Sequence, residues 1–140
     1  MAKIFGNILV PYDDSDHSKR ALDKALNMAE ITGAELTLAH VISYDETVAK
    51  IIRPHEDSIL RHELEFLAPI EQEASNRKIV LNEKILYGNT TKELLNFIDS
   101  GNFDVVIMGR RGITDNQSIS LGSVSNTLVQ NAKIPVLVTT

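Results

Sequence analysis

Phe103-Asp104-Val105-Val106-Ile107-Met108, then Gly109-Arg110-Arg111-Gly112, then a polar loop ending at Leu121-Gly122-Ser123-Val124-Ser125, is the stretch from which the fold can be read. Its apolar run, bounded by a turn signal, reads as a buried strand. Gly109 and Gly112 follow at once, and glycine permits positive φ and close approach of the backbone to a ligand. Nine residues separate Gly112 from Gly122. Gly122 then precedes a helical pattern with Ser123 as its N-cap. Strand, glycine loop and helix N-terminus together gather unpaired backbone N–H groups and a partial positive charge onto one spot. Such a spot binds phosphate. The spacing matches neither GxxxxGK followed by Ser or Thr nor a GxGxxG after the first strand.

Outward from this stretch, strand and helix patterns alternate. Ile8-Leu9-Val10 is short, β-branched and apolar, and Pro11, which has no N–H to give a sheet, ends it. Asp13, Asp14, Ser15 and Asp16 crowd a helix start, Ala21, Leu22, Ala25, Leu26 and Ala29 recur with helical period, and Gly33 stops the pattern. Leu36 to Ile42 reads as a strand, and Ser43 to Pro54, which has no clean period, as a connection. From His55 to Arg77 one helical face carries Leu60, Leu64, Leu67 and Ala74, with a kink or restart at Pro69. Ile79 to Tyr87 reads as a third strand, Thr90 and Glu93 as a capping box, and Leu94, Leu95 and Ile98 as the apolar face of the next helix, which Gly101-Asn102 ends. Val124, Leu128 and Val129 continue the helix after the glycine loop, and a strand around Val136 to Val138 closes the chain. This alternation predicts an α/β fold, an open doubly wound parallel sheet of five strands with helices on both faces. Ligands in such sheets sit beyond the carboxyl ends of the strands, where the winding reverses.

Composition narrows the function classes. The 140 residues read as a single domain, 1–140, of ordinary hydrophobic (43%) and charged (24%) content. No apolar run approaches the roughly 20 residues that span a bilayer, so no membrane partner is expected. Met1-Ala2-Lys3-Ile4-Phe5-Gly6-Asn7 is too short and polar for a signal peptide. Zero cysteines exclude disulfides and thiol chemistry and fit a reducing cytoplasm. A net charge of −5 argues against nucleic acid, which needs a basic surface, but not against a nucleotide whose phosphates respond to local charge.

The spacing Gly109-x2-Gly112-x9-Gly122-Ser123 resembles that of the universal stress proteins, in the subclass with an ATP-binding glycine motif. Asn7-Ile8-Leu9-Val10-Pro11-Tyr12-Asp13-Asp14-Ser15 is similar to the family's first strand and nucleotide-contacting turn, and Ala132 to Val138 to its last strand. The resemblance implies a Rossmann-like sheet of strand order 3-2-1-4-5, which the pattern alone does not give. It sets Pro11-Tyr12-Asp13 opposite Gly109 to Gly112, with ATP and Mg²⁺ between them.

Each candidate residue has two readings. Backbone N–H groups near Gly112, Gly122, Ser123 and Val124, with the hydroxyls of Ser123 and Ser125, are donors for phosphate; the same glycines could simply make a turn. One of Arg110 and Arg111 is expected to face the ligand and the other to point away. The matched family position gives Asp13 a ribose hydroxyl or Mg²⁺ to hold, against the alternative of a capping acid; Asp14 and Asp16 read as N-terminal acids. Tyr12 stands where the resemblance implies a small aliphatic residue, and narrows the base pocket or stacks on it. Val41 matches a position whose backbone meets the adenine edge, and Met108 lines the base pocket; core packing accounts for both as well. His40 reads as a core or crevice-wall residue, His55 and His62 as a surface pair without a metal pattern, and His17 as exposed rather than placed on a phosphate.

The phosphate segment offers no evident base to activate water. The first reading is therefore an ATP-binding regulatory module of the stress response, a switch with slow or no hydrolysis acting on a downstream protein partner. A weak ATPase or phosphotransferase is the second, and a stress-linked interaction protein that binds no nucleotide the third. The unpaired apolar edge at Val136-Leu137-Val138 points to a homodimer, as the resemblance also implies.

Overall fold

The computed structural model describes residues 5–42, 64–111 and 122–140. The Ser43 to Pro54 connection, the helical pattern from His55 to Glu63, the His55/His62 pair and Gly112 lie outside the described residues. In chain order the elements are β1 (Asn7–Pro11), α1 (Asp16–Thr32), β2 (Glu35–Ile42), α2 (Leu67–Asn76), β3 (Leu81–Tyr87), α3 (Thr90–Ser100), β4 (Val105–Gly109), α4 (Ser123–Asn131) and β5 (Val136–Thr139). The strands form one five-stranded sheet of order β3-β2-β1-β4-β5. Every neighbouring pair is parallel, with Asn7 opposite Glu35, Ile8 opposite Val105, Leu36 opposite Leu81 and Val106 opposite Val136. The doubly wound sheet expected from the alternation is present, in the strand order that the family resemblance implied.

Strand geometry explains why β1 and β4 are apolar throughout. Successive side chains point to opposite faces, and both faces are covered by helices. Ile8, Val10, Val105 and Ile107 pack with Ala21, Leu22, Ala25, Leu26 and Ala29 of α1 and Leu67, Ile70 and Ala74 of α2. Leu9, Val106 and Met108 pack on the other side with Leu94 and Ile98 of α3 and Leu128 of α4. Burying one such side chain contributes about 1.5–3 kcal/mol, so these two layers hold the central strands in place.

Local signals set the element ends. Ser15 caps α1 by accepting the Ser18 N–H (3.2 Å), and Gly33 closes it at φ 76°, its N–H donated to Ala29 O at 2.8 Å. That left-handed turn is why glycine stands there. Pro69 marks a helix start: α2 begins at Leu67, so Pro69 is in the first turn, where a missing N–H costs nothing. The third strand starts later than its apolar run, because the Ile79 N–H still bonds Ala74 O (2.9 Å) at the exit of α2. The capping box is corrected by one residue: Asn89, not Thr90, is the N-cap of α3, accepting the Lys92 N–H at 3.0 Å. Asparagine is the better cap and outcompetes the threonine.

The two sheet edges differ. β3 exposes Asn82, Glu83 and Lys84, the polar blunting that discourages edge pairing. Between α2 and the start of β3 runs an open groove lined in part by Glu71, Ser75, Asn82 and Glu83. Burial, and then a hydrogen bond that the protonated Glu83 donates to Glu71 and the charge of Glu71, push the Glu83 carboxyl up from 4.5 to about 7. The folded chain thus binds a proton between those values that the unfolded chain does not. The stability this pair contributes is complete below the unfolded value and is lost as pH rises through about 7. The urea midpoint of wild type, measured relative to Glu83→Gln, should decline from about pH 5 to about pH 8. A difference that stays flat over this range would mean that the two carboxyls share no proton.

Candidate functional site

β1 and β4 are neighbours and run in the same direction, so the turns that leave them stand side by side at the carboxyl end of the sheet. The chain goes from β1 to β2 on one side, while β4 and β5 extend the sheet on the other. This is the reversal point at which open α/β sheets leave a crevice.

The turn after β1 is anchored from below. The Tyr12 N–H bonds Ala39 O at 2.9 Å, and the Tyr12 carbonyl accepts the Nδ1–H of His40 at 2.8 Å. Both rings are buried and meet Phe66, at centroid separations of 5.2 Å for Tyr12 and 5.1 Å for His40. Tyr12 therefore packs in the α1/α2 core. Its hydroxyl donates to Asp14 Oδ1 at 3.0 Å. Burial, and then that hydrogen bond and the charges of Asp14 and Asp13, push the phenol well above its ordinary value, so it remains a donor. Asp14 has φ 63°, a left-handed conformation that costs a non-glycine residue roughly 1–2 kcal/mol. A hydrogen bond to a carboxylate, at about 1.5–3 kcal/mol, is large enough to offset it. Asp13 turns inward: its Oδ1 accepts the Ser15 N–H at 3.0 Å.

The turn after β4 is built differently from its sequence reading. Gly109 does not have positive φ; among the described residues the glycines that do are Gly33 and Gly88. Its smallness serves α1 instead. A Cβ on Gly109 would lie 2.7 Å from the carbonyl carbon and Cβ of His17 and 2.8 Å from its oxygen. The Arg110 N–H bonds Thr139 O at 2.8 Å, extending the contact of β4 with β5. The Arg110 carbonyl accepts two donors, the Gly122 N–H at 2.9 Å and the Ser125 hydroxyl at 2.6 Å. This brings the start of α4 back against the end of β4.

That tie corrects part of the donor list. The Gly122 N–H and the Ser125 hydroxyl are spent on Arg110, and Ser125 is only 2% exposed, so neither is a free donor for phosphate. The N-cap is Gly122, with φ −70° and ψ 169°, and Ser123 is the first helical residue. Among the described residues no side chain caps this helix, so its first-turn N–H groups, from Ser123 onward, have no side-chain partner there. Ser123 is exposed and Val124 half-buried. Arg110 is half-buried and Arg111 only 7% exposed, and the Arg110 Nε is buried with no hydrogen-bond partner among the described residues. Met108, 5% exposed, and Val41 both pack in the layer under α3 and α4.

The sequence places one group as exposed rather than on a phosphate. His17, half-buried in the first turn of α1, stands against Gly109, and Arg20 lies one turn on with its Nη2 3.1 Å from His17 Nδ1. The three-residue spacing on one helix face was the available signal; only the packing of α1 on β4 shows that this face meets the crevice. Among the described residues, no group of three or more His, Cys, Asp and Glu could hold a metal ion, and no helix is long and apolar enough to cross a membrane.

Residues 5–140 match the family model described as universal stress protein family. A universal stress protein of Thermus aquaticus is 32% identical over 136 residues, covering 96% of this chain and 98% of that protein. The universal stress protein UspA of Lactobacillus plantarum superposes with a TM-score of 0.84 at 23% identity, over all of both chains. A universal stress protein family protein of Arabidopsis thaliana solved with AMP bound gives 0.65 at 19% identity, over 94% of this chain and 89% of that one. A universal stress protein in complex with cAMP gives 0.67 at 23% identity, over 99% and 98%.

The Gly109 contact makes a prediction about the crevice floor. The atoms that an added methyl would meet are mostly backbone of α1 and cannot swing aside. Gly109→Ala should therefore destabilise the protein by about 1–3 kcal/mol, the ordinary cost of overpacking, measured by urea unfolding. A neutral Gly109→Ala would mean that α1 stands farther from β4 than described.

Proposed function

The chain belongs to the universal stress protein family, and on that premise we propose that it is an ATP-binding regulatory module with slow or no turnover. One observation carries the reading. The start of α4, uncapped by any side chain among the described residues, is held by the Arg110 carbonyl at the carboxyl ends of β1 and β4. Helix N–H groups, the positive end of a helix and a buried Arg110 guanidinium N–H with no partner among the described residues thus come together beside the reversal point. The relatives solved with AMP and cAMP support an adenine nucleotide as the ligand class.

In this reading the phosphates lie against the backbone of Ser123 and Val124, with Arg110 and Arg111 supplying charge. The backbone of Pro11, Tyr12 and Asp13 forms the opposite wall, with Val41 and Met108 in the core beneath the base. Mg²⁺ suits the site, since the ion binds through one or two carboxylates and substrate phosphates and keeps several waters. Asp13 is the carboxylate that would hold it, with one oxygen already oriented by the Ser15 amide. When bound, the ion neutralises phosphate charge. Hydrolysis is slow because that same tie turns Asp13 toward its own backbone, away from the role of a base. Occupancy of the crevice would then be what a downstream protein reads.

Titration calorimetry with MgATP, ADP and AMP tests this. MgATP should bind, and affinity should fall as phosphates are removed. Gly122→Val should keep the fold, because φ −70° with ψ 169° is open to valine, while its side chain covers the N–H groups of the first helical turn and abolishes binding. Equal affinity in Gly122→Val and wild type would place the phosphates elsewhere. Hydrolysis at several turnovers per second by wild type would favour an enzyme.

The same reading includes a homodimer through β5. Leu137 is 40% exposed on an unpaired edge, and pairing this edge with its own copy across a two-fold axis would cover it. Light scattering at micromolar concentration should give a dimer for wild type and a monomer for Leu137→Lys. A dimer that survives this change would be joined elsewhere.

A further inference from the structure

We propose that His17 and Arg20 of α1 join Arg110 and Arg111 in a basic cluster that receives the phosphate chain, and that His17 takes up a proton as the chain arrives. The inference rests on the nucleotide reading above and adds a regulatory property to it, dependence of ligand affinity on pH.

Three observations place the cluster. Gly109 lets the backbone of β4 come against His17 itself, so this residue and the Arg110 turn meet directly. Arg20 Nη2 lies 3.1 Å from His17 Nδ1. A guanidinium can only donate, so Nδ1 must be the acceptor and the imidazole of the free protein is neutral. Arg20 is in turn held to the end of β5, its Nε–H donated to the main-chain oxygen of Thr140. That bond helps hold the exposed Arg20 side chain beside the imidazole.

The charges around His17 explain the neutral form. Burial comes first, followed by the positive charges of Arg20 on its own helix and of Arg110 and Arg111 from the β4 turn; together they hold the imidazole below its ordinary value. Asp16 alone pulls the other way. A phosphate chain bound to these arginines offsets the charge that disfavours imidazolium and adds an acceptor for it. The proton balance is simple: one proton moves from solvent to His17 on binding and returns on release. Binding should therefore tighten as pH falls, over the range between the titration midpoints of His17 in the free and occupied protein.

The test is the titration of His17, followed by the NMR resonance of its ring proton with and without ligand, using tripolyphosphate and MgATP as separate probes. Either bound probe should raise the midpoint by about one pH unit, the size expected from a charge within about 4–6 Å. That shift corresponds to roughly ten-fold tighter binding at low pH than at high pH. Calorimetry of wild type and His17→Gln in buffers of different ionisation enthalpy should show proton uptake that the variant lacks; the phosphates' own titration is common to both. Arg20→Gln should raise the midpoint of the free protein and shrink the coupling.

The outcomes separate this inference from the nucleotide reading. If MgATP binds and His17 titrates unchanged, the proton coupling is wrong and the nucleotide reading stands. If tripolyphosphate shifts His17 and MgATP does not bind, the basic cluster is real and the nucleotide reading fails. If neither probe moves His17, the inference is overturned.

Discussion

The carbonyl oxygen of Arg110 takes one hydrogen bond from the Gly122 N–H and another from the Ser125 hydroxyl, and the crevice depends on that double acceptance. The Arg110 N–H is already committed to Thr139 of β5, so this one residue ties β4, β5 and α4 together. A carbonyl has two lone pairs, and both are used. The helix start is thereby held at the sheet's reversal point, with no capping side chain among the described residues to bond its N–H groups. A serine at the cap would have satisfied one of those groups itself. Glycine leaves them available.

The same economy of space governs the other wall. α1 approaches β4 so closely that a side chain at residue 109 would meet its backbone, and this approach brings His17 against the end of β4. The acidic turn is drawn inward, with Asp13 bonded to the Ser15 amide and Asp14 to the Tyr12 hydroxyl. The carboxylates of this turn are thus partly occupied, while Arg110 and Arg111 lie in the turn that leaves β4. A net charge of −5 does not set the local balance of charge, because interactions closer than a Debye length of about 8 Å are screened less than those across the molecule.

The periphery divides its roles in a parallel way. β3 ends the sheet with polar and charged residues and β5 with an exposed leucine. A parallel sheet has two open edges, and a chain that blunts one with charge leaves the other as the natural place to pair. β5 is also the strand whose end touches Arg110 and Arg20. Packing at that edge is therefore mechanically connected to the crevice.

Much of this was determined by the sequence alone, where the deciding forces are local. The apolar runs at Ile8 to Val10 and Val105 to Met108, the helical period of Ala21 to Ala29 and the stop at Gly33 each act within one or two turns of chain, and each appears in the fold. So does the sheet class, since strand–helix alternation leaves few ways to cover both faces. Where two nearby signals competed, as with Asn89 against Thr90 and Gly122 against Ser123, the sequence was read one residue out. Tertiary structure alone decided the rest. Glycine at 109 reads as conformational freedom but serves as clearance for a helix some ninety positions earlier in the chain. Ser125 reads as a ligand donor but closes on Arg110, and Tyr12 reads as a pocket residue but packs in the core. His17 reads as solvent-exposed but meets the β4 turn. In each case the partner is remote in sequence, and a side chain's role is set by the donor, acceptor or surface that folding brings to it.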